Sequence, residues 1–403
     1  MFFGSKPSIS TDEKKIDAIL DRGVIVEILP TKVEFKKMLL SGKRLRFYIG
    51  FDATAPTLHL SHAKNLLLLE QFRKLGHEVI CLFGDFTARI GDPSGRSDTR
   101  KPLTHGEILD NVAEWKKQIA NLMDFSDTKN PPLIKYNNEW LSKLKFEDVL
   151  GLAAEMTVQQ MLERDMFEKR VQEGKPIFLH EFLYPLMQGY DSVAMDVDVE
   201  LCGTDQTFNA LVGRNLVKKR LNKEKVVVVV NLMANPKTGD LMSKSKGTGV
   251  FLNTGATGMF GAVMAQPDEM SEVILKNISS LPLEEIEVLA QGKPMDMKIV
   301  AALESTAAVY GRKAAEEAKE NFIKTFSQGG VPDDVVELDL IDGIRSTLVR
   351  NKVIESNSEF ARLAASGAIR VVDPEGEIKI VNASAEPHGK VVRIGKHRFV
   401  KFK

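Results

Sequence analysis

Two imidazoles three residues apart, in the stretch His59-Leu60-Ser61-His62, stand just after the apolar run Phe47-Tyr48-Ile49-Gly50-Phe51. The run suits a buried strand and Asp52-Ala53-Thr54-Ala55-Pro56-Thr57 a turn-rich break, while Leu66, Leu67, Leu69 and Phe72 before Gly76 give a helical face. Strand, loop and helix in that order set unpaired backbone N–H groups and the positive end of a helix dipole above a strand end, a favourable place for phosphate. Imidazoles at i and i+3 beside that end can both donate hydrogen bonds to phosphate oxygens. Taken alone, the pair also fits a helix that merely carries two surface histidines. Zinc is a poor fit: metalloprotease histidines sit at i and i+4 around a glutamate, and the chain has only two cysteines, Cys81 and Cys202, with no CxxC pair. Buried or neutral thiols are expected of both.

Further chemistry-bearing stretches follow other apolar runs. Gly84-Asp85-Phe86-Thr87-Ala88-Arg89-Ile90-Gly91-Asp92-Pro93-Ser94-Gly95-Arg96 is long and glycine-punctuated, and reads equally as a ligand-binding loop or as a structural Ω-loop. Tyr184, Gln188 and Asp191 share one face at helical spacing, either a recognition surface or a polar helix edge. Gly203-Thr204-Asp205-Gln206 follows a strand candidate. Met242-Ser243-Lys244-Ser245 lies in a Gly-, Lys-, Ser- and Thr-rich segment from Asn235 to Gly249, a mobile basic loop by composition.

The elements that must position these residues alternate. Glu78–Phe83, Val197–Cys202 and Lys225–Val230 read as strands separated by helical patterns, which implies a parallel sheet with ligands at the carboxyl ends of its strands. Pro267 to about Phe326 is helical in pattern. The Gly-, Pro- and Asp-rich cluster Ser327–Asp334 reads as a linker. Beyond it, Leu340 to about Val349 and Glu355–Ala365 read as helices, and Gly367–Val371 and Val391–Ile394 as short strands. A length of 403 residues, 43% hydrophobic and 27% charged, bounds the chain to two or three globular domains and excludes a disordered or fibrous protein. Net charge is zero, yet Lys390, Arg393, Lys396, Arg398, Lys401 and Lys403 concentrate positive charge in the last segment, either a solvated tail or a nucleic-acid contact. No apolar signal core follows the first residues and no apolar stretch is long enough to span a bilayer, so a reduced, cytoplasmic protein with no membrane partner is expected.

His59-Leu60-Ser61-His62 and Met242-Ser243-Lys244-Ser245, in this order, resemble the HIGH and KMSKS signatures of class I aminoacyl-tRNA synthetases. The GDFT…GDPSG-like loop and the Tyr184 to Asp191 stretch narrow the resemblance to bacterial-type tyrosyl-tRNA synthetases, over about Arg22 to Phe402. Ser358–Leu363 and Gly389–Lys396 resemble an alpha-L-type RNA-binding motif. The implied fold is α/β: a Rossmann-like parallel-sheet catalytic domain over 1–231, the MSKS loop and a helical domain over 232–328, a linker over 329–339, and a small α+β alpha-L-type RNA-binding domain over 340–403.

The resemblance implies a tyrosine–tRNA ligase that forms tyrosyl-adenylate from L-tyrosine and ATP and then charges tRNA(Tyr). A tryptophanyl enzyme and a catalytically degenerate RNA-binding paralogue are the alternatives. Tyr48 and Asp191 would share the phenolic hydroxyl, Asp92, Tyr184 and Gln188 would surround the ammonium, and Gln206 would lie near the carboxyl group. Gly50, Asp52, Gly203 and Asp205 would bind the nucleotide, the last two at the ribose. Thr54, His59, His62, Lys244, Arg96 and Arg100 would face the phosphates during catalysis. Lys390, Arg393, Lys396 and Arg398 would contact tRNA. Magnesium would accompany ATP, no metal would be held by a dedicated protein site, and the protein would be a homodimer. Four departures from the family pattern stand out: Ser61 for the glycine of HIGH, Leu241 for the first KMSKS lysine, Cys202 for a glycine, and Ile49 at a small or polar position.

Overall fold

Six strands form the larger sheet of the computed structural model: β1 (Ile25–Leu29), β2 (Arg46–Asp52), β3 (Glu78–Gly84), β4 (Leu133–Tyr136), β5 (Val199–Gly203) and β6 (Val226–Val230), in spatial order β1-β6-β5-β2-β3-β4. Residues 7–92, 103–163, 165–242, 249–327, 335–373, 376–380, 382, 385–395 and 398–403 are described. β2 to β6 run parallel, and only the edge strand β1 is antiparallel, against β6. All five valines of β6 are buried, because a parallel strand covered by helices on both faces needs an unbroken apolar run.

From β2 the chain steps outward to β3 and β4, then returns across the sheet to β5 and β6. The neighbours β2 and β5 therefore diverge in their connections, and the crevice beyond their carboxyl ends is where open α/β sheets bind ligands. The helix Leu60–Lys74 follows β2 and buries Leu60, Leu66, Leu68, Leu69 and Phe72. The sequence pattern did not reveal β1 or β4; each is a short edge strand with partly exposed residues and therefore a weak periodic signal.

The helical region comprises Met270–Ile278, Leu283–Ala290, Pro294–Tyr310 and Arg312–Ser327. The last two read as one run by periodicity, but Gly311 at φ +86° separates them. No helix among the described residues is long and apolar enough to cross a membrane.

The chain divides into two units, Met1–Ala315 and Glu316–Lys403. The second contains a sheet of β7 (Val336–Leu338), β8 (Ile369–Asp373), β9 (Gly376–Lys379), β10 (Val391–Ile394) and β11 (Arg398–Phe402), in order β7-β11-β10-β8-β9. Helices Gly343–Arg350 and Asn357–Ala365 pack on it through Ile344, Leu348 and Phe360, against Ile369, Val392 and Phe402. One expectation is corrected. The linker over 329–339 is not wholly a connector, since Val336–Leu338 pairs in parallel with β11. Of the two readings of the basic end, the solvated tail does not hold: Val400 and Phe402 of β11 are buried and anchor the strand in the core.

Candidate active site

A cavity of about 400 Å³ opens at the carboxyl ends of β2 and β5. β2 contributes Tyr48, Gly50 and Asp52; β5 and the turn after it contribute Glu200, Cys202, Gly203, Asp205 and Gln206. Tyr184, Gln188 and Asp191 enter from one face of the helix Leu183–Ala194, as their spacing requires, and Asp92 from the loop after β3. His59, Ser61 and His62 enter from the start of the helix Leu60–Lys74. Thr54, expected among them, does not line the cavity: it follows a tight turn whose N–H donates back to the Asp52 carbonyl at 2.7 Å.

One end of the cavity is buried. Tyr48 and Asp191 expose 1% and 2% of their surface. The Asp191 carboxylate accepts from Trp140 Nε1 at 2.7 Å and from Asn137 Nδ2 at 3.2 Å. Burial raises its pKa above the ordinary carboxylate range; the two donors oppose that rise, and the Asp52 and Glu200 carboxylates add to it. Tyr48 Oη lies 2.9 Å from Ser192 Oγ, and burial likewise raises its phenol pKa. Tyr184 Oη donates to Asp52 at 2.9 Å, and Thr87 Oγ1 donates to the other oxygen of Asp52 at 2.6 Å. Gln188 donates to Glu200 at 3.1 Å and accepts from Asn209 at 2.9 Å, while Gln206 accepts from Asn209 at 2.9 Å and donates to Asp92. Sequence reasoning missed Asn137, Trp140, Ser192, Glu200 and Asn209. Glu200 and Asn209 stand close to stretches already singled out, but nothing local marks which polar residue beside a strand turns inward.

The other end is half-open. The His59 N–H donates to His62 Nδ1 at 3.3 Å, which leaves the His62 ring proton on Nε2. Burial lowers the His59 pKa to about 4 and, with the neighbouring His59, lowers that of His62, so both act near neutral pH as uncharged imidazoles. His59 Nδ1 and Asn65 Oδ1 are buried with no hydrogen-bond partner among the described residues, and Asn65 lines the cavity one turn after His62. Val250 O accepts from the Leu60 N–H and Leu58 O from the Leu252 N–H, both at 3.0 Å. The chain leaving the Met242-to-Gly249 segment thus lies against the two-histidine segment. Met242 itself is buried, its N–H donating to Met233 O at 2.9 Å. Lys244, Arg96, Arg100 and Lys396 lie outside the described residues.

A larger hollow of about 910 Å³ lies elsewhere, beside Arg22, Glu70 and Arg73. Its charges are taken up internally: Arg73 donates to Glu70 at 2.6 Å and to Asp127 at 2.7 Å, and Arg22 donates to the carbonyls of Lys276 and Leu281. The smaller cavity is the one with convergent, partly unpartnered polar groups.

The family model described as tRNA synthetases class I (W and Y) matches residues 40–327. The tyrosine--tRNA ligase of Carboxydothermus hydrogenoformans is 41% identical over 95% of this chain and 96% of its own length. That of Moorella thermoacetica is 39% identical over 99% and 98%. The chain belongs to the class I tyrosyl-tRNA synthetases. Its fold is also that of a C-terminally truncated mitochondrial tyrosyl-tRNA synthetase from Aspergillus nidulans, with a TM-score of 0.65 at 23% identity over 77% of this chain and 94% of that one.

Within this synthetase three of the four departures, Ile49, Ser61 and Cys202, line the cavity, and Leu241 is exposed where the described chain approaches Lys244. Both cysteines are buried; burial raises the Cys81 pKa to about 12 and that of Cys202 as well, so both thiols stay protonated. In the second unit Arg398 is tied to the domain's own packing, donating to Glu359 at 2.9 Å and to the Val353 carbonyl.

Proposed function

We propose that this synthetase is a working tyrosine–tRNA ligase: the tyrosine carboxylate attacks the ATP α-phosphorus in line, pyrophosphate leaves, and the tyrosyl group passes to the 3′ end of tRNA(Tyr). The observation that carries this reading is the joint placement of Tyr48 and Asp191 at the buried end of a cavity whose open end carries His59 and His62. Tyr48 and Asp191 receive the phenolic hydroxyl. Phenylalanine would leave both polar groups unpaired, an effect for which tyrosyl-tRNA synthetases are the standard illustration. Asp92, Tyr184 and Gln188 hold the ammonium and Gln206 the carboxyl end, while Gly50, Asp52, Gly203 and Asp205 take the nucleoside.

The neutral His62 donates from Nε2 to phosphate as charge builds there, His59 binds beside it, and Lys244, Arg96 and Arg100 close on pyrophosphate. Positioning and electrostatics carry the step, with no covalent nucleophile. Magnesium would accompany ATP, held through its phosphates and supplying charge neutralisation there.

The exposed apolar residues Phe146, Leu150, Val158, Val171, Phe178 and Leu179, all in the stretch before the helix Leu183–Ala194, support a homodimer. The C-terminal domain, through Lys390, Arg393, Lys396 and the partly engaged Arg398, binds tRNA in the cytoplasm.

Exchange of labelled pyrophosphate into ATP, with each amino acid offered in turn, tests the reading. Tyrosine alone should support it; exchange with tryptophan, or none at saturating ATP, overturns it. Ending the chain at residue 328 should preserve exchange and abolish most charging.

A further inference from the structure

Behind the buried end of the cavity lies an ion pair with no assigned role. Lys225, just before β6, has 0% of its surface exposed and Glu200 on β5 has 2%, and the two side chains are in direct contact. Lys225 Nζ also donates to Ser192 Oγ at 2.9 Å, and Ser192 Oγ lies 2.9 Å from Tyr48 Oη. Gly213, on the helix Thr207–Leu221, leaves room for the ammonium: a Cβ there would stand 2.7 Å from Lys225 Nζ and 3.0 Å from Ser192 Oγ. Desolvation offsets much of the attraction in a buried ion pair, so stability alone is a weak reason for one to sit beneath a recognition site.

The hydrogen-bond directions supply a better reason. An ammonium only donates, so Ser192 Oγ accepts from Lys225. The serine proton then has two acceptors in reach, Tyr48 Oη at 2.9 Å and Glu200 Oε2 at 3.4 Å. Hydroxyl hydrogen bonds span about 2.5–3.0 Å, which selects Tyr48. Tyr48 Oη thus accepts on its inner side, and its own proton is directed away from Ser192. Burial, the carboxylates of Glu200 and Asp191 and a hydrogen bond to Glu200, the acceptor that an incoming phenolic oxygen must displace, keep that proton on the phenol.

We propose that Lys225 is a specificity-determining positioning residue: it orders the donor chain Lys225 to Ser192 to Tyr48, so that Tyr48 donates to the phenolic oxygen of the bound amino acid while that phenol donates to Asp191. The proposal rests on the reading that Tyr48 and Asp191 receive the substrate hydroxyl. Each hydroxyl in the chain accepts from one side and donates to the other, an arrangement in which successive bonds polarise one another. Glu200 balances the buried ammonium and, through Gln188, ties the same network to the ammonium end of the cavity.

The test compares kcat/KM for tyrosine and phenylalanine in pyrophosphate exchange. The double variant Lys225→Met, Glu200→Gln removes both charges and leaves neither stranded. It should melt cooperatively and keep its KM for ATP, while the tyrosine-to-phenylalanine ratio falls about tenfold, the size of one lost buried hydrogen bond. Gly213→Ala crowds the same ammonium without deleting a charge and should move the ratio the same way by less. Tyr48→Phe separates the two layers of the argument. If Tyr48→Phe leaves the ratio unchanged, the reading of the pocket itself fails. If Tyr48→Phe lowers it but neither the double variant nor Gly213→Ala does, the role of Lys225 alone is overturned. A fall that is as large in the Tyr48→Phe background as in the wild type also overturns it, because Lys225 would then act by a route other than Tyr48.

Discussion

At one end of the cavity Asp191 and Tyr48 already have protein partners, Trp140 and Asn137 on Asp191 and Ser192 on Tyr48. At the His59–His62 end, His59 Nδ1 and Asn65 Oδ1 are buried with none among the described residues. The contrast separates two tasks. Choosing tyrosine requires donors and acceptors fixed before the ligand arrives, since discrimination comes from groups that a wrong side chain cannot satisfy. Handling phosphates requires groups that gain their partners only with the nucleotide and strengthen as charge moves onto pyrophosphate.

Variants at the two ends can break or sharpen that division. Asp191→Ala should have the largest effect, lowering kcat/KM for tyrosine on the order of 10²–10³-fold, because it removes an acceptor and leaves the Trp140 and Asn137 donors unpaired. The KM for ATP should hold, and a parallel rise would dissolve the distinction. His62→Ala and Lys244→Ala should each slow adenylate formation about 10²-fold while equilibrium dialysis finds tyrosine affinity unchanged. Loss of tyrosine binding in either would show that the ends are not independent.

Leu241→Lys should improve activation at limiting ATP by roughly tenfold, through one restored charge-assisted contact, and Ser61→Gly by less. Stopped-flow activation across an ATP series reads both, and no response to Leu241→Lys would mean that Arg96, Arg100 and Lys244 suffice.

The smallest effect is on pH. His77 is fully buried, its Nδ1 accepting from the Leu45 N–H, and burial lowers its pKa from 6.5 to about 4, as it does for His59. Between those values the unfolded chain binds protons that the folded chain refuses. The stability present above pH 6.5 is therefore lost as pH falls toward 4. The urea midpoint should drop over that window, and His77→Asn should flatten the drop.

Legibility in the sequence followed the range of the physical signal. Tyr184, Gln188 and Asp191 were readable as one face because helical spacing is local. His59 and His62 were readable at a helix start because the preceding apolar run and polar turn mark it. β1 and β4 were not, and with β4 went Asn137 and Trp140, the residues that orient Asp191. Thr54 was expected at the phosphates by motif position, yet the turn at Asp52 takes it out of the cavity lining.

The sequence by itself determined the alternation of strands and helices, the phosphate-suited helix start and the separation of a small basic module, because side-chain periodicity and turn chemistry act over a few residues. Only the tertiary structure decided which partner each buried polar group takes. Tyr48 and Ser192 are 144 residues apart, and Trp140 and Asp191 are 51 apart. Their meeting depends on the sheet order β1-β6-β5-β2-β3-β4, which sets β2 against β5. That order reflects which apolar faces can be buried together across the whole domain, and no short window of residues contains it.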